Sequence, residues 1–93
     1  MNFETNPDWG TNQPIEPGDI IHLKVSQSSW LYKFKVIVSE VGSDEIAGVV
    51  DHIFRWDENA SVQHSEINRY VGQTLSFTRQ HIFKVVKATD AML

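Results

Sequence analysis

From residue 20 onward apolar side chains alternate with polar ones, and that alternation predicts most of the architecture. In Ile20 to Val25, the side chains of Ile21, Leu23 and Val25 share one face, opposite Ile20, His22 and Lys24. The run from Trp30 to Val38 places Trp30, Tyr32, Phe34, Val36 and Val38 on one face. Between them the polar stretch Ser26-Gln27-Ser28-Ser29 reads as a four-residue hairpin loop. That loop sets Val25 across from Trp30, Leu23 across from Tyr32 and Ile21 across from Phe34. A slip of one residue would press the aromatic rings against His22 and Lys24, so alternation and loop length specify the same register.

Gly42-Ser43-Asp44 predicts a three-residue turn that pairs Val41 with Glu45 and opens a third strand, Glu45 to Arg55. In this register Val36 faces Val50, Tyr32 faces Phe54, and Lys35 meets Asp51 as a cross-strand charge pair. The alternative register would bury Asp51. His52 falls on the core side near Phe34. Residues 57–64 break the alternation and read as a polar loop. Ser65 is placed to cap a short helix through residues 66–71, with Ile67, Tyr70 and Val71 on one side and Gly72 at the C′ position. Gln73 to Thr78, a brief Arg79-Gln80-His81 turn, and Ile82 to Lys87 complete five strands.

Residues 1–19 hold all three prolines and no apolar periodicity, which predicts an irregular N-terminal arm that Trp9 and Ile15 can anchor. Pro17-Gly18-Asp19 forms a turn just before the first strand. The expected division is the arm (1–19), a single β-barrel domain (20–88) and a C-terminal tail (89–93). The fold class is mainly β: a five-stranded antiparallel small barrel or rolled sheet, with one short helix between strands three and four.

The stretch Leu75-Ser76-Phe77-Thr78-Arg79-Gln80-His81-Ile82-Phe83-Lys84-Val85 resembles the end of small SH3-like barrels, where a strand, a single 3₁₀ turn and a last strand follow one another. Pro17-Gly18-Asp19-Ile20-Ile21 is similar to their opening turn and strand. The resemblance implies architecture alone and carries over no binding residue. The long 56–72 connection departs from the tight hairpin usual there, as does the short first loop. In size and acidity the chain also resembles the small reading frames of bacterial mobile gene cassettes.

Composition changes this picture little. Of 93 residues, 41% are hydrophobic and 22% charged, which fits one globular core and neither disorder nor a fibrous repeat. No apolar run approaches the roughly 18 residues of a membrane-spanning helix, and the first ten residues lack the basic and apolar regions of a secretory signal. A cytoplasmic location is the expectation, and the absence of cysteine excludes disulfides and thiolate chemistry. A net charge of −4 disfavours nucleic acid as a partner, because phosphate-backbone binders commonly carry a basic excess.

Candidate chemistry is sparse. His22, His52, His64 and His81 show no metal-ligand spacing, and the adjacent Asp51 and His52 point to opposite faces of a regular strand. No serine sits in a nucleophile elbow, and no glycine-rich stretch cradles phosphate. Neither catalysis, a metal nor a cofactor is expected. Trp30, Tyr32, Phe34, Phe54 and Trp56 match the inward face and read as core, with Trp56 at the strand end the exception.

The second sheet face is more informative. The same registers gather Leu31, Ile37, Val49 and Ile53 there, relieved by the Lys35–Asp51 pair, and a solvated face should be more polar. The 65–71 helix, the arm or a second copy of the chain is expected to cover it. The leading expectation is therefore a non-enzymatic protein-interaction module that associates with itself, as a homodimer or larger, or with another protein. A second is a ligand or catalytic pocket at the end of strand three, drawing on His52, Trp56 and Tyr70. A third is single-strand nucleic-acid binding through Lys24, Lys33 and Lys35.

Overall fold

The computed structural model describes residues 2–8, 14–27, 29–56 and 66–91, and the long strands form where the side chains alternate. In chain order the strands are β1 (Asn2–Phe3), β2 (Ile20–Gln27), β3 (Trp30–Val41), β4 (Ile46–Arg55), β5 (Thr74–Phe77) and β6 (Ile82–Val86). They make one antiparallel sheet in the order β1-β2-β3-β4-β5, with β6 returning to pair with β2. The sheet curls into a half-barrel, mainly β as expected and compatible with a small barrel architecture. Two strands share one edge of β2: β1 takes Val25 and Ser26, and β6 takes Ile20 to Leu23. Among the described residues, no helix is long and apolar enough to cross a membrane.

The first hairpin keeps the expected faces and shifts the pairing by two residues. Val25 lies across from Tyr32, Leu23 from Phe34 and Ile21 from Val36, while Gln27 pairs with Trp30. Only two residues remain in the turn, and Ser29 takes the left-handed conformation (φ 68°) that tight hairpin turns require. Ser26 and Gln27 extend the ladder because their backbone groups gain partners there at no cost to the core. Trp30 is thereby carried past the end of the core, 51% exposed, with the Arg55 guanidinium 4.3 Å from its ring centroid.

Three bulges decide which side chains face where. On β4, Lys35 pairs with His52 and Val36 with Val50, leaving Asp51 as an extra residue. Strict alternation would bury His52 and Phe54 and expose Ile53. The bulge instead buries Ile53 (2% exposed) and leaves both Asp51 and His52 exposed, sparing the core an imidazole without a buried partner. The expected Lys35–Asp51 and Tyr32–Phe54 pairings are replaced by Lys35–His52 and Tyr32–Arg55, whereas Val36–Val50 holds. A second bulge leaves Ser39 unpaired, and the β3–β4 loop closes one residue later than predicted, with Val41 opposite Ile46. The third falls on β6, where Leu23 pairs with Ile82 and His22 with Lys84, leaving Phe83 extra.

The core lies inside the curl, where Ile21, Leu23, Val25, Phe34, Val36, Val50, Ile53 and Ile82 are buried together with Ile15 from the arm. The segment expected as a helix is a 3₁₀ turn, Glu66–Tyr70, too short to build a run of α-helical bonds, and Gly72 (φ 88°) ends it. It buries Ile67 and packs Tyr70 on Phe34, so it closes the inside of the curl and does not cover the outer face. Ser65, Trp9 and the 57–64 loop lie outside the described residues. The predicted Arg79–His81 turn is present as a second 3₁₀ turn joining β5 to β6.

One buried carboxylate ties the start of β2 to the end of its neighbour β6. Asp19 accepts from Lys87 Nζ at 2.6 Å, from Ala88 N at 3.1 Å and from Glu16 N at 2.9 Å. Burial alone would raise its pKa, but these hydrogen bonds and the Lys87 charge outweigh burial and hold the carboxyl below its ordinary 3.8.

Candidate functional site

The outer face of the curl is built from the side chains that alternate with the core. On β2 these are His22 and Lys24, and on β3 they are Lys33, Lys35 and Ile37. The bulge on β4 reverses the parity after Val50, so Phe54 joins this face opposite Lys33, and Trp56 follows it. On β6 both Ile82 and Val85 pair with core residues of β2, so the bulge sets Phe83 and Lys84 together on the outer side. Two local irregularities thus bring three aromatic rings onto a face whose regular positions supply lysines.

The groups interlock. Trp56 and Phe83 meet edge to face with centroids 5.3 Å apart, and Lys24 Nζ lies 4.9 Å from the first ring and 5.6 Å from the second. Phe54 carries Lys35 at 4.9 Å and Lys33 at 5.2 Å, with His52 stacked on it at 4.6 Å. Cation–π contacts near a surface are worth only about 0.5–1 kcal/mol, so these contacts by themselves hold Lys24 and Lys35 loosely over their rings. His22, Lys33, Trp56, Phe83 and Lys84 line a shallow groove of about 360 Å³.

Two groups record how closely the cations converge. The His22 imidazole is pulled down from 6.5 to about 4, first by burial and then by Lys35, Lys33 and Lys84. Lys33 is likewise lowered by burial, with Lys35 and Lys84 adding to the effect. Of the described acids, Glu40 and Glu45 line a separate hollow of about 260 Å³ at the β3–β4 turn, Asp19 with Glu16 engages Lys87, and Glu4 meets Ser26 on the outer row of β2.

The residues singled out from sequence separate in space. Ile53 is in the core, and Leu31 (36% exposed) and Ile37 (37% exposed) stand at opposite ends of the β3 row, with Lys33 and Lys35 between them. Only Ile37 and Val49 of that set are cross-strand partners. Of the expected pocket, His52 and Trp56 reach the outer face, but Tyr70 lies on the inner side against Phe34, so the three do not converge. Lys24, Lys33 and Lys35 do share one surface. His22, Phe54, Phe83 and Lys84 belong with them and were missed, because strict alternation assigns Phe54 inward and separates Phe83 from Lys84. The one available signal was Phe83-Lys84 between Ile82 and Val85, two positions where a two-residue period admits one.

Among the described residues, no group of three or more His, Asp or Glu side chains could hold a metal ion. Compared with protein-family models, with curated proteins and with solved structures, the chain gives no match.

Proposed function

We propose that this protein is a non-catalytic binding module whose outer face takes a single-stranded nucleic acid. The observation that carries the reading is the co-location of four lysines (Lys24, Lys33, Lys35 and Lys84) with three rings (Phe54, Trp56 and Phe83) on one open face of adjacent strands. A single strand offers phosphates and unpaired bases at alternating positions, and binders answer with cations that follow the backbone and rings on which bases stack. A lysine loosely held over a ring can move to a phosphate and uncover that ring for a base. The net charge of −4 does not by itself oppose this, because a local field depends on placement rather than on a sum, and of the described acids Glu40 and Glu45 lie at the β3–β4 turn while Glu16 and Asp19 engage Lys87. An SH3-like barrel, with its strand, 3₁₀ turn and strand ending, suits the reading as a scaffold and adds no residue to it.

The test is fluorescence anisotropy of a labelled deoxythymidine decamer at low salt. Binding should weaken with salt along a log–log slope of about −2 to −3, as expected for three or four single-strand phosphate contacts. Trp56→Ala should weaken binding by about 5- to 150-fold, the loss of one stacked base. Absence of binding at high micromolar protein, or binding indifferent to salt, rejects the proposal.

A second reading is association with another copy of the chain, favoured by Ile37, 37% exposed and paired with both Ile20 and Val49. Light scattering decides it: Ile37→Lys should dissociate a dimer, and a wild-type monomer at high micromolar concentration rejects the idea.

A further inference from the structure

His22 occupies an unusual position on the outer face. In the ladder it pairs with Lys35 of β3 on one side and with Lys84 of β6 on the other, so three adjacent strands present Lys, His and Lys abreast. Neighbouring strands are about 4.8 Å apart, which sets the two lysine backbones roughly 10 Å from each other with the imidazole between them. Lys33 joins from the next outward position of β3 and lines the same groove as His22 and Lys84. Three long, flexible cations surrounding a half-buried polar ring can close over a group of phosphate size. The groove's aromatic wall, Trp56 and Phe83, stands beside it.

We propose that this end of the groove is a seat for one phosphate group, held by Lys33, Lys35 and Lys84, and that filling it loads a proton onto His22. The inference rests on the reading of the outer face as a single-strand site and names the subsite that anchors the chain's phosphate. In the empty seat burial disfavours an imidazolium, and the three lysines repel it as well. A bound phosphodiester reverses the local sign: it offsets the lysine charges and supplies an acceptor for an imidazole N–H. Proton uptake and anion binding then assist each other, and the decamer binds more tightly as pH falls from about 6 toward 4, the range between the raised midpoint and the free one.

The other charged groups around His22 are compatible with this. Lys24 is the next outward residue on its own strand, with its ammonium over the Trp56 and Phe83 rings. On β4, one strand beyond Lys35, His52 and Asp51 stand exposed at the bulge. On the β1 side Glu4 reaches the outer face at Ser26 (3.4 Å), four residues along β2 from His22, too far to neutralise it.

The experiment is an NMR titration of the histidine ring signals of the full chain from pH 3.5 to 7.5, with the His22 signal assigned through His22→Gln. It is run on the free protein, with excess sodium sulfate, and with saturating deoxythymidine decamer. Sulfate serves as the probe because its charge is constant across that range. The expected result is a rise of one unit or more in the His22 midpoint with either ligand, abolished by Lys35→Gln with Lys84→Gln. His22→Gln should still bind the decamer while losing the roughly tenfold or greater gain in affinity on acidification. If the decamer binds and the His22 midpoint stays where it was, the seat is refuted and the single-strand reading stands. If sulfate raises the midpoint and the decamer does not bind, the seat stands and the single-strand reading falls.

Discussion

His22 has a lysine in each of its ladder positions, and its proton therefore reports on the whole outer face. Its pKa lies near 4 in the folded chain and near 6.5 when unfolded. Between those values the unfolded chain holds a proton that the folded chain refuses, so stability should fall as pH drops through that window and level off below it. Asp19 works in the next window down. Its carboxyl is depressed below 3.8, so its contribution is complete above that value and is lost as pH falls through the lower, folded value. Urea unfolding as a function of pH should therefore show two successive losses. His22→Gln should remove the upper one and leave the lower; an unchanged upper loss in that variant would mean that His22 is not the group responsible.

Bulges, not regular strands, assemble the candidate site, and the β4 strand shows how tightly they are specified. Gly48 faces Val38 next to the unpaired Ser39, and a methyl group there would sit 2.4 Å from Val36 Cγ1 and 2.8 Å from the Ile37 carbonyl oxygen. Because the carbonyl belongs to the backbone, the strand must move to admit it. Gly48→Ala should cost about 1–3 kcal/mol, read as a fall in Tm of roughly 5–15 °C. An unchanged Tm would show that the β3–β4 contact is looser than described. The same strand marks the limit of what alternation reveals. The faces of β2 and β3 were legible because Ile21, Leu23 and Val25 and the even positions of β3 follow a strict period of two. From Asp51 the period breaks, because an unpartnered imidazole is costly inside and an isoleucine is not, and a periodic reading cannot weigh that competition. It sent Ile53 outward and Phe54 inward, and with them went the aromatic half of the site. The cationic half, Lys24, Lys33 and Lys35, was legible since it lies before the break.

Among the described residues the inside of the curl is apolar and the outer face gathers lysines and aromatic rings, while Glu40 and Glu45 stand at the β3–β4 turn and Glu16 beside the Asp19 lock. A sum over the sequence gives −4 and does not show where the charges stand, so it does not weigh the lysines gathered on the outer face. Two aromatic surfaces compete for the binding role. Trp30 is the more exposed, at the rim of the inner side with Arg55 over its ring, whereas Trp56 lies among lysines on the outer face. An NMR titration with deoxythymidine decamer that follows the two indole N–H signals separates them. The Trp56 indole should shift progressively with ligand, together with backbone amides around His22, Lys33 and Lys84, while the Trp30 indole stays in place. Movement of Trp30 with Trp56 unmoved, or no movement of either, would contradict the assignment of the outer face as the binding surface.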